Sequence, residues 1–197
     1  MKTKKIQVAM ALATAFIMVS CAAPKVPKES MTDPRDGNKY DIVKIGDQFW
    51  MANNLNFTTP ENSWCYADDP ANCTKYGRLY NWESAQKSCP SGWHLPSIKE
   101  IETLFETIKH KGEDVKTTKG WKSGGNGSDI YGFSVLPAGI RAKQGSYYGE
   151  GEETYFWSSS GDDEDIGHYI HLEDRDWISY GGGTVRNNGF SVRCLRD

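Results

Sequence analysis

The run Cys89-Pro90-Ser91-Gly92-Trp93-His94-Leu95-Pro96-Ser97-Ile98-Lys99-Glu100 constrains this chain more than any other stretch. It closes one helix, makes a rigid turn and opens a second helix. Pro90 and Pro96 fix φ and forbid helix across the turn. Gly92 permits backbone angles that other residues resist. Ser97 and Glu100 form a capping box, the hydroxyl taking an orphan N–H while the carboxylate reaches back to the cap. Behind it Ile98, Ile101, Leu104, Phe105 and Ile108 recur at helical spacing and make one apolar stripe. Lys109, His110 and Lys111 suit the negative end of that helix, and Gly112 is the expected stop.

The chain begins as an export signal. Met1 to Lys5 carries three lysines, and Ile6 to Val19 is an apolar run too short to span a bilayer. The signal is read over residues 1–20, and residues 21–31, with Pro24, Pro27 and no apolar period, read as a flexible stalk. The folded domain is then 32–197. The full chain has a net charge of −3; without Lys2, Lys4 and Lys5 it holds 20 basic against 26 acidic residues, or −6. Nucleic acid is excluded as a partner, because phosphate binding needs a clustered cationic surface. A mean hydropathy of −0.64 leaves no room for a bundle of membrane spans.

Export places the cysteines in an oxidising space, where an even number implies pairing. Apart from Cys21 there are four: Cys65, Cys73, Cys89 and Cys194. Three pairings are possible. Asp68-Asp69-Pro70 is turn-prone and brings Cys65 to Cys73, which leaves Cys89 for Cys194. Chain entropy gives about 2.5 kcal/mol for the short loop and about 4.7 for the long one. The four lack CxxC spacing, so no zinc site is expected.

The folded part reads as strands at 40–45 and 48–51 joined by a Gly46-Asp47 hairpin turn. A short extended piece at 64–66 and a helix over 82–87 follow. Further strands are expected at 131–136, 154–158, 168–172, 176–180 and 190–195. Two helices early and strands late predict an α+β order.

Several blocks carry a resemblance. Met18-Val19-Ser20-Cys21 resembles the lipobox of bacterial lipoproteins, which implies an acylated Cys21 holding the protein to a lipid bilayer. Ala22 in place of Asp implies the outer membrane or cell surface rather than inner-membrane retention. Asp33-Pro34-Arg35-Asp36-Gly37, Ile45 to Leu55, Tyr76 to Trp82, Cys89 to Pro96 and Gly189 to Asp197 resemble the Fibrobacter succinogenes major paralogous domain. More distantly, Trp82 to Cys89, Leu95-Pro96-Ser97 with Glu100, and Phe190 to Cys194 are similar to the formylglycine-generating-enzyme branch of the C-type-lectin-like fold. That likeness implies paired terminal strands, two helices, long ligand-presenting loops, and a Cys89–Cys194 staple.

For function the expectation is a non-catalytic surface module that binds a polysaccharide or an envelope protein. Between Lys143 and Asn188, Tyr147, Tyr148, Tyr155, Trp157, Trp177 and Tyr180 offer rigid aromatic faces, with Asp162, Asp163, Asp165, Arg175 and Arg186 to bind hydroxyls. Trp157, inside a strand-like Tyr-Phe-Trp, also reads as core. Asp162-Asp163-Glu164-Asp165 reads as a solvated acidic loop, since the sugar-binding signatures of C-type lectins are missing. An enzyme of the formylglycine-generating type needs a close pair of reactive Cys in its C-terminal half, where only Cys194 lies. His94 reads as a hydrogen-bonded structural residue of its turn. No cofactor and no metal are implied.

Overall fold

The computed structural model describes residues 29–162, 164–175 and 178–197. The leader, Cys21, most of the stalk, Asp163 and Trp177 lie outside the described residues.

In chain order the strands are β1 Glu29–Thr32, β2 Lys39–Ile45, β3 Gln48–Met51, β4 Ser63–Trp64, β5 Leu79–Tyr80 and β6 Trp93–His94. They continue as β7 Ala138–Arg141, β8 Tyr147–Glu150, β9 Glu153–Gly161, β10 Ile166–Glu173, β11 Ile178–Val185 and β12 Leu195–Arg196. The helices are α1 Pro70–Tyr76, α2 Trp82–Ala85 and α3 Ile98–Thr107. One five-stranded sheet runs β1-β2-β3-β12-β6, a second runs β11-β10-β9-β7-β8, and β4 pairs with β5. Among the described residues the structure is therefore β-rich, with three sheets and three short α-helices. This corrects the α+β, two-helix, C-type-lectin-like expectation. The second half holds more strand than the segments expected there: Tyr147–Glu150 is β8, and Gly181-Gly182-Gly183 continues β11 to Val185. The strand expected at 131–136 forms instead beyond Pro137, as β7.

The first hairpin follows its sequence. Gly46 takes φ +60 and β2 meets β3 in the register Ile45↔Gln48. The first strand begins at Glu29, inside the stretch read as stalk, and pairs with β2 through Glu29↔Ile42. Asp69 caps α1, its carboxylate accepting the Ala71 N–H, with Pro70 in the first turn. Gly77 ends it at φ +76; a Cβ there would sit 2.8 Å from Asn54 Cβ, so only glycine lets the two segments touch.

Ser97 and Glu100 make the reciprocal capping box of α3. Ile101, Leu104, Phe105 and Ile108 are buried as their spacing requires. They pack with Ile45, Trp50 and Leu195 of the first sheet and with Phe156, Ile170 and Leu172 of the second, so α3 fills the space between the two sheets. The helix stops before Gly112. Lys109 and His110 turn left-handed at φ +54 and +56, the Lys109 N–H donates to Glu106 O and the His110 N–H to Phe105 O. That is a Schellman motif with lysine where glycine is usual.

A second cluster of buried side chains surrounds Cys194, with Tyr80, Leu95, Trp157, Phe190 and Val192. Cys89 bonds to Cys194 and Cys65 to Cys73, as expected. Arg193 lies wholly buried next to this disulfide. Its guanidinium donates to Asn54 Oδ1 at 2.9 Å, to Ser134 O at 2.8 Å and to Phe133 O, between the rings of Phe133 and Phe156. Burial with only neutral acceptors pulls its pKa down to about 9.

Candidate functional site

The two faces of the second sheet have different surroundings. Alternation along β9 and β10 sends Phe156, Ile170 and Leu172 towards α3. The opposite face carries Glu153, Tyr155 and Trp157 on β9, directly across from Glu173, His171 and Tyr169 on β10. At its inner end Trp157 is fully buried and its indole N–H donates to Tyr80 O at 2.7 Å. At its outer end Glu153, Tyr155, Tyr169, His171 and Glu173 are all half-buried.

That outer end is an ordered cluster. The Tyr155 and His171 rings stack at 4.0 Å and 13°, and Tyr155 meets Tyr169 at 5.2 Å and 60°. The Tyr155 hydroxyl donates to Glu153 Oε2 at 3.2 Å. His171 Nε2 lies 3.2 Å from the same oxygen and 3.8 Å from Glu173 Oε1. The His171 hydrogen bond holds the Glu153 carboxyl below its usual range, against the pull of burial, with Tyr155 adding to it. Burial, then the Glu153 charge, pushes the Tyr155 phenol up. Two glutamates directly opposed across a strand pair would repel; the imidazole between them offsets that. Glu153 and Glu173 also border an open cleft with Glu152, Asp174 and Arg175. Lys116, itself buried, donates to the carbonyls of Glu173 and Arg175 and so fixes the end of β10.

The same face reaches the sheet edge. Ile140 on β7 packs into the cluster that Tyr155 and Tyr169 also join, and the register places Tyr148 of edge strand β8 opposite Ile140. Tyr148 is 51% exposed. Tyr155 is itself enclosed, stacked on His171 and, at 4.8 Å and 28°, on the buried Phe190; the face thus offers the edges of this stack, one free aromatic at its border, and carboxylates on one side.

The aromatics singled out in the sequence do not form one patch. Tyr147 and Tyr148 are adjacent on β8 and point to opposite faces. Tyr180 lies on β11, the other edge of the sheet, four strand spacings or about 19 Å away. There it stacks on Phe105 at 4.9 Å and faces α3. Trp157 is core. Arg175 is exposed beside Glu173, while Trp177 and Asp163 lie outside the described residues. His94 holds its turn, with Nδ1 2.7 Å from Asp197 Oδ1 and Nε2 3.0 Å from Glu100 Oε1. Among the described residues no three His, Cys, Asp or Glu side chains are grouped to hold a metal ion. All four described cysteines are in disulfides. Among the described residues no helix is long and apolar enough to cross a membrane.

A family model, that of the Fibrobacter succinogenes major domain, matches residues 43–196. The chain belongs to that family. No curated protein and no solved structure matches it. In this Fibrobacter succinogenes major domain the family blocks quoted above build the frame rather than the cluster. Ile45 to Leu55 supplies the end of β2, β3 and the chain after it, Tyr76 to Trp82 supplies β5, and Gly189 to Asp197 supplies Arg193, Cys194 and β12.

The other face of β8 in this domain holds a second cluster that sequence reading missed. Tyr147 packs on Tyr66 at 5.2 Å, and its hydroxyl donates to Asp68 Oδ1 at 2.6 Å. Burial, then Asp68, pushes that phenol up to about 12. Arg141, opposite Tyr147 on β7, lays its guanidinium 4.0 Å over Trp64 and 6.0 Å from the Tyr147 ring. The sequence signals were Tyr147 itself and the turn-prone loop between Cys65 and Cys73; Tyr66, Trp64 and Arg141 carried none.

Proposed function

We propose that this protein is an envelope lipoprotein, acylated at Cys21 and held at the outer membrane or cell surface, that binds a polysaccharide without transforming it. The binding surface is the outer face of the second sheet. The observation that carries this reading is the Tyr155–His171 stack flanked by Glu153 and Glu173, with Tyr148 exposed at the edge of the same face. Sugar rings lay their C–H faces on aromatic rings, and their hydroxyls donate to carboxylates. The rings are held in place by strand pairing and by the shared Glu153 oxygen, so little side-chain freedom is lost on binding. With every described thiol in a disulfide, no thiolate nucleophile stands near this face.

The test is a glycan array probed with the full chain in detergent micelles, beside a panel of envelope proteins. The reading expects retention on glycans and a loss of about tenfold or more for Tyr148→Ala. Retention by envelope proteins alone would replace it with an adhesion role.

A further inference from the structure

Arg141 is the cation of the cluster around Tyr147. Its Nε is buried with no hydrogen-bond partner, and among the described residues no carboxylate lies within ion-pair distance of its guanidinium. Asp68, the acid of that cluster, is occupied by the Tyr147 hydroxyl at 2.6 Å. Arg78, whose Nη1 donates to Ser63 O beside Trp64, also keeps a buried Nε without a partner. Lys143, two residues beyond Arg141 in the β7–β8 hairpin, is exposed, and its N–H is fixed by Asn188 Oδ1 at 2.9 Å. Gly145 lies over the guanidinium, where a Cβ would approach Nη2 to 3.3 Å. Two arginines, Arg141 over Trp64 and Arg78 beside it, thus flank that ring on a body whose mature charge is −6 (20 basic less 26 acidic).

We propose that the Arg141–Trp64 stack is a subsite for a carboxylate on the bound saccharide, a uronic acid residue. With Nε buried and the guanidinium 4.0 Å over Trp64, only the two Nη groups of Arg141 can meet a ligand, and that end of the fork matches a planar carboxylate with two parallel hydrogen bonds. The subsite and Tyr148 lie on opposite faces of the same edge strand. One saccharide chain passing over β8 would meet both. The inference rests on the glycan reading given above and adds the charge of the ligand.

The test uses the full chain in detergent micelles and two probes with one backbone, polygalacturonate and its fully methyl-esterified form. The expected result is at least tenfold tighter binding of the acid form, weakened by added salt. Arg141→Gln should bring both forms to the same affinity, while Tyr148→Ala should weaken both equally and keep the preference. Arg141→Lys keeps the charge, loses the fork and should recover only part of the preference. Equal binding of acid and ester by the natural protein overturns the inference and leaves the glycan reading standing. Binding of neither probe, with no other glycan retained on the array, overturns both. Equal binding of dextran sulfate, or of polyglutamate through Arg141, overturns the uronate assignment in favour of general polyanion or acidic-peptide capture.

Discussion

The hydroxyl of Tyr147 donates to the carboxylate of Asp68 across 79 residues of chain, at 2.6 Å. Asp68 stands in a turn where two successive non-glycine residues, Ala67 and Asp68, are left-handed at φ +56. Such a turn costs about 1–2 kcal/mol per residue, and the Cys65–Cys73 bond bridges it. The small disulfide loop is thereby strutted against the edge of the second sheet.

Removing the strut tests its weight. Tyr147→Phe keeps the ring contact with Tyr66 and deletes one hydrogen bond to a charged acceptor. The expected loss is about 1 kcal/mol, which for a domain of this size lowers the melting temperature by about 2–4 °C. A thermal melt of both proteins checks it; an unchanged melting temperature would show that the strut adds nothing.

A second prediction concerns pH. Burial opposes the charged form of His94, but its hydrogen bonds to Asp197 and Glu100 outweigh it and raise the imidazole above its ordinary 6.5. Burial likewise opposes the charge on Glu100, yet the Ser97 N–H, the Ser97 hydroxyl and His94 hold its carboxyl below 4.5. The His94 contribution is complete below pH 6.5 and fades as pH rises through the raised value. The Glu100 contribution is complete above pH 4.5 and fades as pH falls through the lowered one. Denaturant midpoints measured from pH 4 to 9 should place the advantage of the natural protein over His94→Gln between about pH 4.5 and 6.5. A difference that does not vary with pH would contradict the clip.

Lys109 occupies the left-handed position that ends α3. Lys109→Gly removes the Cβ conflict while keeping both Schellman hydrogen bonds. The expected gain is about 1 kcal/mol, read as a rise of about 2–4 °C in the melting temperature. A fall would show that the backbone there bears no strain.

These sites differ in how far the sequence announced them. The capping box at Ser97, the stripe from Ile101 to Ile108 and the Gly46 turn were readable because each depends on neighbours within four residues. The pairing of Cys89 with Cys194 was readable by elimination, although 105 residues separate them. The stop of α3 was misplaced at Gly112 because the lysine at 109 shows no sign of left-handed geometry in its residue type. The β-rich architecture was hidden for a related reason. Gly181-Gly182-Gly183 has low strand propensity, and Tyr147-Tyr148 is only two residues between Gly145 and Gly149; their ladders are completed by the partners that β10 and β7 supply. Tyr169 shows the compensation, since its ring lies where a Gly182 Cβ would be, 2.9 Å from that point. Arg193 sits in a Ser-Val-Arg-Cys run whose sequence alone gives no hint that the arginine is buried. Tyr155 stands among the aromatics of the sequence, but its partners Glu153, His171 and Glu173 are not legible there, because they meet it only through the β9–β10 register. The other aromatics of that stretch, Tyr147, Trp157 and Tyr180, go to different places in the fold.

The central claim is that the outer face of the second sheet, from His171 to Tyr148, is a saccharide-binding surface. The most direct measurement is the dissociation constant of the tightest-binding glycan on the array, for the natural protein and for Tyr148→Ala, with melting temperatures recorded in parallel. A side chain that is half exposed at the sheet edge should give at least a tenfold loss of affinity and a melting temperature within about 1 °C of the natural protein. Unchanged affinity, or a loss of affinity matched by a loss of stability, would contradict it.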